Sequence, residues 1–148
     1  MIQNQPHKIL NIYIDGAARG NPGPASLGVC IFDESGQSIA EIGETLGFAT
    51  NSVAEYKAFI RALQEAKKMS AQVLYIFTDS QLLARQYGGQ YRIKNSSIKE
   101  LWLEIDPLLK EFKTVTVTHI LRSSHPGNVK ADKLCNIALD RSLNLKRN

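Results

Sequence analysis

Apolar and polar positions along this 148-residue chain fall into blocks whose period changes from strand-like to helix-like and back. A β-branched run from Ile9 to Ile14 stops at Asp15 and passes into a turn built from Gly16, Gly20, Gly23 and two prolines. This predicts a buried strand with a carboxylate at its end, beside a backbone that a ligand can approach closely. Two more strands are predicted, over Leu27–Asp33 and about Ser38–Phe48, joined by Asp33-Glu-Ser-Gly36 into an antiparallel meander. From Val53 to Met69 the period lengthens, with Val53, Tyr56, Ile60, Leu63 and Ala66 on one face of a helix. Val73–Thr78 is a continuous apolar run of central-strand length, and it too ends at an acid, Asp79.

Helices are then predicted over Gln81–Tyr87 and Ser97–Phe112, the second kinked or split by Pro107. A strand over Thr114–Leu121 follows. The loop Arg122–Asn128 leads into a last helix reaching about Leu143. This order predicts one α/β domain over residues 1–148, with residues 1–7 and 144–148 frayed. Its five-stranded mixed sheet has three antiparallel strands, then two parallel ones joined by crossover helices.

Composition narrows the picture. At 43% hydrophobic and 22% charged, the chain reads as an ordinary globular protein without repeats or low-complexity tracts. The opening MIQNQPHKIL lacks the apolar run of a signal peptide, and no segment reaches membrane-spanning length, so a cytoplasmic location is expected. Cys30 and Cys135 lie in apolar settings and read as small core residues, not as a zinc site or disulfide framework. A net charge of +4 mildly favours a polyanionic partner. Nothing calls for a protein partner, and a monomer is expected.

Four acids invite chemistry, although each also has a structural explanation. Glu55 completes a capping box with Ser52, Asp79 is a candidate helix cap, Asp132 sits near the first turn of its helix, and Asp15 reads as a turn residue. Those explanations leave convergence unaccounted for. Ligands of open sheets bind outside the carboxyl ends of the strands, where Asp15 and Asp79 fall if their strands are parallel neighbours. The helices of Glu55 and Asp132 can start at the same edge. Two carboxylates about 4 Å apart repel by about 4 kcal/mol at an effective dielectric near 20, so four together need cations. Oxygen-only donors point to Mg²⁺ or Mn²⁺. Pairs of such ions serve in-line displacement at phosphorus, which makes a phosphodiester the natural substrate.

The motifs Tyr13-Ile-Asp-Gly16 with Gly20-Asn-Pro-Gly-Pro24, Thr50-Asn-Ser-Val-Ala-Glu55, Thr78-Asp-Ser-Gln81, and His125-Pro-Gly-Asn128 with Ala131-Asp132 resemble those of type 1 ribonuclease H in order and spacing. They cover nearly the whole chain. The resemblance implies hydrolysis of the RNA strand of RNA/DNA hybrids with two Mg²⁺ ions, Mn²⁺ being a possible substitute, and 5′-phosphate and 3′-hydroxyl products. It makes Asp15, Glu55, Asp79 and Asp132 the metal ligands. It also makes Asn21, Asn51, Ser52 and Gln81, with Gly16 beside the first acid, contacts to the hybrid, and Thr50 part of a pocket for a DNA phosphate. Short amides and hydroxyls suit the 2′-hydroxyl that distinguishes RNA from DNA.

Two positions depart from the family pattern. Arg122 stands where many bacterial members carry a loop histidine, and it would aid product release by gripping phosphate but cannot take up a proton at neutral pH. His125 keeps the second histidine and reads either as a proton carrier or as an idle surface residue. Between Gly88 and Trp102, where some members insert a basic protrusion, only Arg92, Lys94 and Lys99 add positive charge. Trp102 reads as core and His119 has no assigned role. Other nucleotide-handling folds fit poorly, because no GxxxxGK[ST] loop is present and GAARGNPGP is not GxGxxG.

Overall fold

The computed structural model describes residues 8–89 and 92–147, with side chains described as far as Asn144. The elements in chain order are β1 (Ile9–Ala18), β2 (Gly23–Phe32), β3 (Ser38–Ala49), α1 (Asn51–Lys68), β4 (Val73–Thr78), α2 (Gln81–Tyr87), α3 (Ser96–Leu109), β5 (Thr114–His119) and α4 (Pro126–Arg147). The strands form one sheet in the order β3-β2-β1-β4-β5. β1, β2 and β3 pair antiparallel, whereas β4 and β5 run parallel to β1. The predicted α/β architecture is therefore the observed one.

Alternation along β1 divides the core. Leu10, Ile12 and Ile14 face α1, where they join Phe59, Leu63, Leu74, Ile76, Leu83 and Ile105 in the larger apolar cluster. Tyr13 faces the other way, into a smaller cluster with Cys30 and Ala131, beneath α4. Both cysteines are buried free thiols, and Trp102 packs against Tyr56 and Tyr87 as a core-edge residue. Two helices thus cover two faces of one strand.

Several boundaries differ from the sequence reading. β1 does not stop at Asp15: Gly16, Ala17 and Ala18 stay paired with Leu27, Ser26 and Ala25, and the hairpin closes through Arg19 N–H to the Pro24 carbonyl at 2.8 Å. The Asn21–Pro22 peptide in its tip is cis. α3 carries Pro107 within its last turn and is not split by it. α4 starts at Pro126, the first-turn position where a missing N–H costs nothing, and runs to Arg147 instead of ending near Leu143. The amino-terminal seven residues expected to fray lie outside the described residues.

Close helix-to-sheet contact depends on glycine. A Cβ at Gly28 would lie 2.1 Å from the Ala131 carbonyl oxygen of α4. A methyl group there must push the helix off the sheet. Gly28→Ala is expected to destabilise the fold by about 1–3 kcal/mol, as overpacking does, and to displace Asp132 one residue further on. A urea titration paired with an activity assay checks both effects, and an unchanged midpoint would contradict the packing described here.

Candidate active site

Register brings the first two acids together. Ile14 of β1 pairs with Thr78 of β4 in the last step of their parallel ladder, so the next residue on each chain, Asp15 and Asp79, emerges at one edge. Asp15 is buried and Asp79 half-buried. Glu55 arrives from α1, whose first turn lies against Gly16: a Cβ there would sit 2.3 Å from the Ala54 carbonyl carbon and the Glu55 nitrogen. Carboxylate oxygens of Asp15, Glu55 and Asp79 then lie within 4.8 Å of one another. Asp132, on α4, stands beside this trio, within hydrogen-bonding reach of Asp15 and 3.6 Å from Arg122 Nη2. All four acids, with Asn51 and Arg122, line one cleft of about 460 Å³.

The acids are free to converge because other residues cap the helices. Thr50, not Ser52, caps α1 and accepts from Val53 N–H at 3.2 Å, so the predicted capping box does not form and Glu55 turns to the cleft. Ser80, not Asp79, caps α2 through Leu83 N–H at 3.1 Å. α4 begins beside His125, whose Nδ1 accepts from Gly127 N–H at 3.0 Å, and Asp132 lies in the second turn instead of the first. Asp15 is a strand residue and not a turn residue.

Crowding shows in the protonation of the group. Burial first, then the Asp79 charge, a hydrogen bond to Asp132 and the charges of Asp132 and Glu55 hold the Asp15 carboxyl up at about 8. Burial likewise lifts Glu55 to about 7, against a lowering hydrogen bond from the Ser80 hydroxyl and with a further push from Asp79. Two of the carboxyls thus retain protons near neutrality unless positive charge arrives.

The remaining predicted residues divide. Asn51 ties the hairpin to α1, its Oδ1 accepting from Ala18 N–H at 2.9 Å and its N–H donating to Asn21 Oδ1 at 3.0 Å. Neither amide NH₂ group has a hydrogen-bond partner among the described residues. Ser52 is half-buried in the first turn of α1, and Gln81 is exposed at the start of α2. His125 lies outside the acid cleft, stacked on Tyr13 with ring centroids 4.5 Å apart. Sequence reasoning missed Ser80, Tyr13 and Asn128. All three sit inside motifs whose spacing was visible, but their contacts are made only in three dimensions.

A family model described as Reverse transcriptase-like matches residues 13–138. The chain is 33% identical over 156 residues to the Ribonuclease H of Polynucleobacter asymbioticus, covering 95% of this chain and 94% of that one. The chain belongs to the ribonuclease H family. It is also 37% identical over 131 residues to the Ribonuclease HI of Halobacterium salinarum, covering 88% of this chain but only 64% of that protein's length. The structure of LC11-RNase H1 in complex with RNA/DNA hybrid superposes with a TM-score of 0.84 at 38% identity, covering 90% of this chain and 99% of that one. Among the described residues no helix is long and apolar enough to cross a membrane.

Proposed function

We propose that the protein is an endonuclease that hydrolyses the RNA strand of RNA/DNA hybrids with two divalent ions, leaving 5′-phosphate and 3′-hydroxyl ends. One observation carries this reading: three carboxylates, from β1, from α1 and from the link after β4, bring their oxygens within 4.8 Å of one another. Family membership and the hybrid bound by LC11-RNase H1 support the choice of substrate.

The donor set fits Mg²⁺, with Mn²⁺ as a substitute. It offers only oxygen, and its retained protons mark a site short of positive charge. Asp15, Glu55, Asp79 and Asp132 would hold the ions, with Asp15 the most buried of them. Bound there, divalent ions would supply a water of lowered pKa and stabilisation of charge on a leaving oxygen. The chain's own groups bind and orient. Thr50 Oγ1 already accepts from Val53 N–H, which leaves its hydroxyl proton to donate to a phosphate at the amino end of α1. Asn21, Asn51, Ser52 and Gln81 face the minor groove, where amide and hydroxyl groups meet 2′-hydroxyls, while Gly16 holds α1 close to Asp15. Arg122, at the rim beside Asp132, grips phosphate and aids product release. His125 acts chiefly by capping α4, since a proton-carrying role at Nδ1 would break its bond to Gly127 N–H.

The test is an assay with each strand labelled in turn, comparing hybrid, duplex DNA and duplex RNA, with Mg²⁺ or with chelator. Cleavage confined to the RNA strand of the hybrid and abolished by chelator is expected. Equal cutting of duplex DNA would overturn the reading.

A further inference from the structure

We propose that Asn128 is a positioning residue that indexes Arg122 to the strand carrying Asp15; this rests on the phosphate-gripping role assigned to Arg122. Arg122 is the second residue of a turn closed by Ser124 N–H donating to the Leu121 carbonyl at 3.1 Å. The third, Ser123, has φ +60°, a region that residues with a Cβ seldom occupy and that a type II turn requires at this position. Nothing in the sequence of the loop enforces it. What holds it is Asn128, whose side-chain Oδ1 accepts from Ser123 N–H.

Asn128 is itself fixed. It is only 2% exposed, in the first turn of α4. The residue before it, Gly127, lies so close to the Tyr13 ring that a Cβ would come within 2.4 Å of it. His125 stacks on the same ring, which also stacks on Phe77 of β4 with centroids 4.8 Å apart. Tyr13 precedes Asp15 by two residues on β1 and therefore shares its face of the sheet. A continuous chain of contacts runs from the strand of Asp15, through the Tyr13 ring, to Gly127, Asn128 and Ser123 N–H. At its end the Arg122 guanidinium stands 3.6 Å from Asp132, although its side chain is 75% exposed and makes no other ion pair among the described residues. Without the brace, a long exposed arginine on a surface turn samples many positions, and few of them serve the cleft.

The inference is tested by steady-state cleavage of an RNA/DNA hybrid by Asn128→Ala, Asn128→Asp, Arg122→Ala and the double variant Asn128→Ala/Arg122→Ala. Loss of one charged hydrogen bond to phosphate corresponds to about a ten-fold fall in kcat/KM, and Arg122→Ala is expected to show it. Asn128→Ala should lose about as much, Asn128→Asp should recover most of it because a carboxylate also accepts from Ser123 N–H, and the double variant should be no slower than Arg122→Ala. Losses that multiply in the double variant would overturn the inference while leaving the role of Arg122 standing. Arg122→Ala cutting at the wild-type rate would remove the role on which it rests. Should Asn128→Ala fail to fold, Asn128→Leu fills the same space without an acceptor for Ser123 N–H and is expected to match Arg122→Ala. Hydrogen exchange gives a readout independent of turnover: the Ser123 amide should be protected in the wild type and exposed in Asn128→Ala. Fast exchange of that amide in the wild-type protein would contradict the brace.

Discussion

Asp15→Asn is expected to abolish hybrid cleavage while making the metal-free protein more stable. The amide keeps the shape of the side chain but takes the ionisable group out of the most buried member of the acid group. Cleavage should fall on the order of 1,000-fold or more, because several kcal/mol of charge stabilisation would leave with the proposed metal ligand. Stability should move the other way. At pH 8 the wild-type protein must either ionise Asp15 beside Asp79 and Asp132 or keep a proton it would lose in the unfolded chain. Asn does neither, and a gain on the order of 2 kcal/mol without metal follows, shrinking as pH falls toward 5. Asp79→Asn should act in the same directions. A chemical denaturation series at pH 5 and pH 8, run beside the cleavage assay, separates the two effects. Wild-type cleavage by Asp15→Asn would remove the acid group from the mechanism.

Metal-free wild-type protein should also show an unusual pH dependence. Asp15 and Glu55 have folded values of about 8 and about 7, above the ordinary carboxylate range near 4. Between the unfolded and folded values the native state binds more protons than the unfolded state. The contribution of these groups is therefore fully present below about pH 4 and is lost as pH rises through 7 and 8. Most small proteins owe acid lability to carboxylates shifted downward; here the pair gives alkaline lability instead. Saturating Mg²⁺ should reverse the trend, because a cation favours the ionised carboxylates and binds the folded form. Thermal melts from pH 5 to 8.5, with chelator and with Mg²⁺, measure it. A chelated protein whose melting temperature rises steadily to pH 8 would show that the acids are not crowded.

Most of the fold was legible because the strongest signals are long and periodic. The alternation on β1, the apolar run of β4 and the helical spacing of α1 each survive folding nearly unchanged. What misled was local capping chemistry. Ser52 with Glu55 three residues later reads as a capping box, yet Thr50 also caps well, and starting the helix at Asn51 lets its N–H reach Asn21 while Glu55 meets the cleft. Asp79 beside Ser80 posed the same choice, resolved the same way. At α4 a usable signal was present in Pro126 at the first helical position, but a histidine cap is uncommon and its ring bond to Gly127 has no sequence signature. Asp15 looked terminal because the glycines after it resemble a turn, whereas Gly16 is needed inside the strand to admit the backbone of α1.

The most direct test of the account is calorimetric titration of Mg²⁺, and separately Mn²⁺, into the protein at pH 7 in buffers of different ionisation enthalpy. If carboxylates from four separate stretches of the chain share one charge-starved cleft, binding must expel the protons that Asp15 and Glu55 retain. The predicted result is a binding heat that varies with the buffer, reporting proton release, and that disappears in Asp15→Asn. A heat that is the same in every buffer, or binding that Asp15→Asn leaves intact, would contradict it.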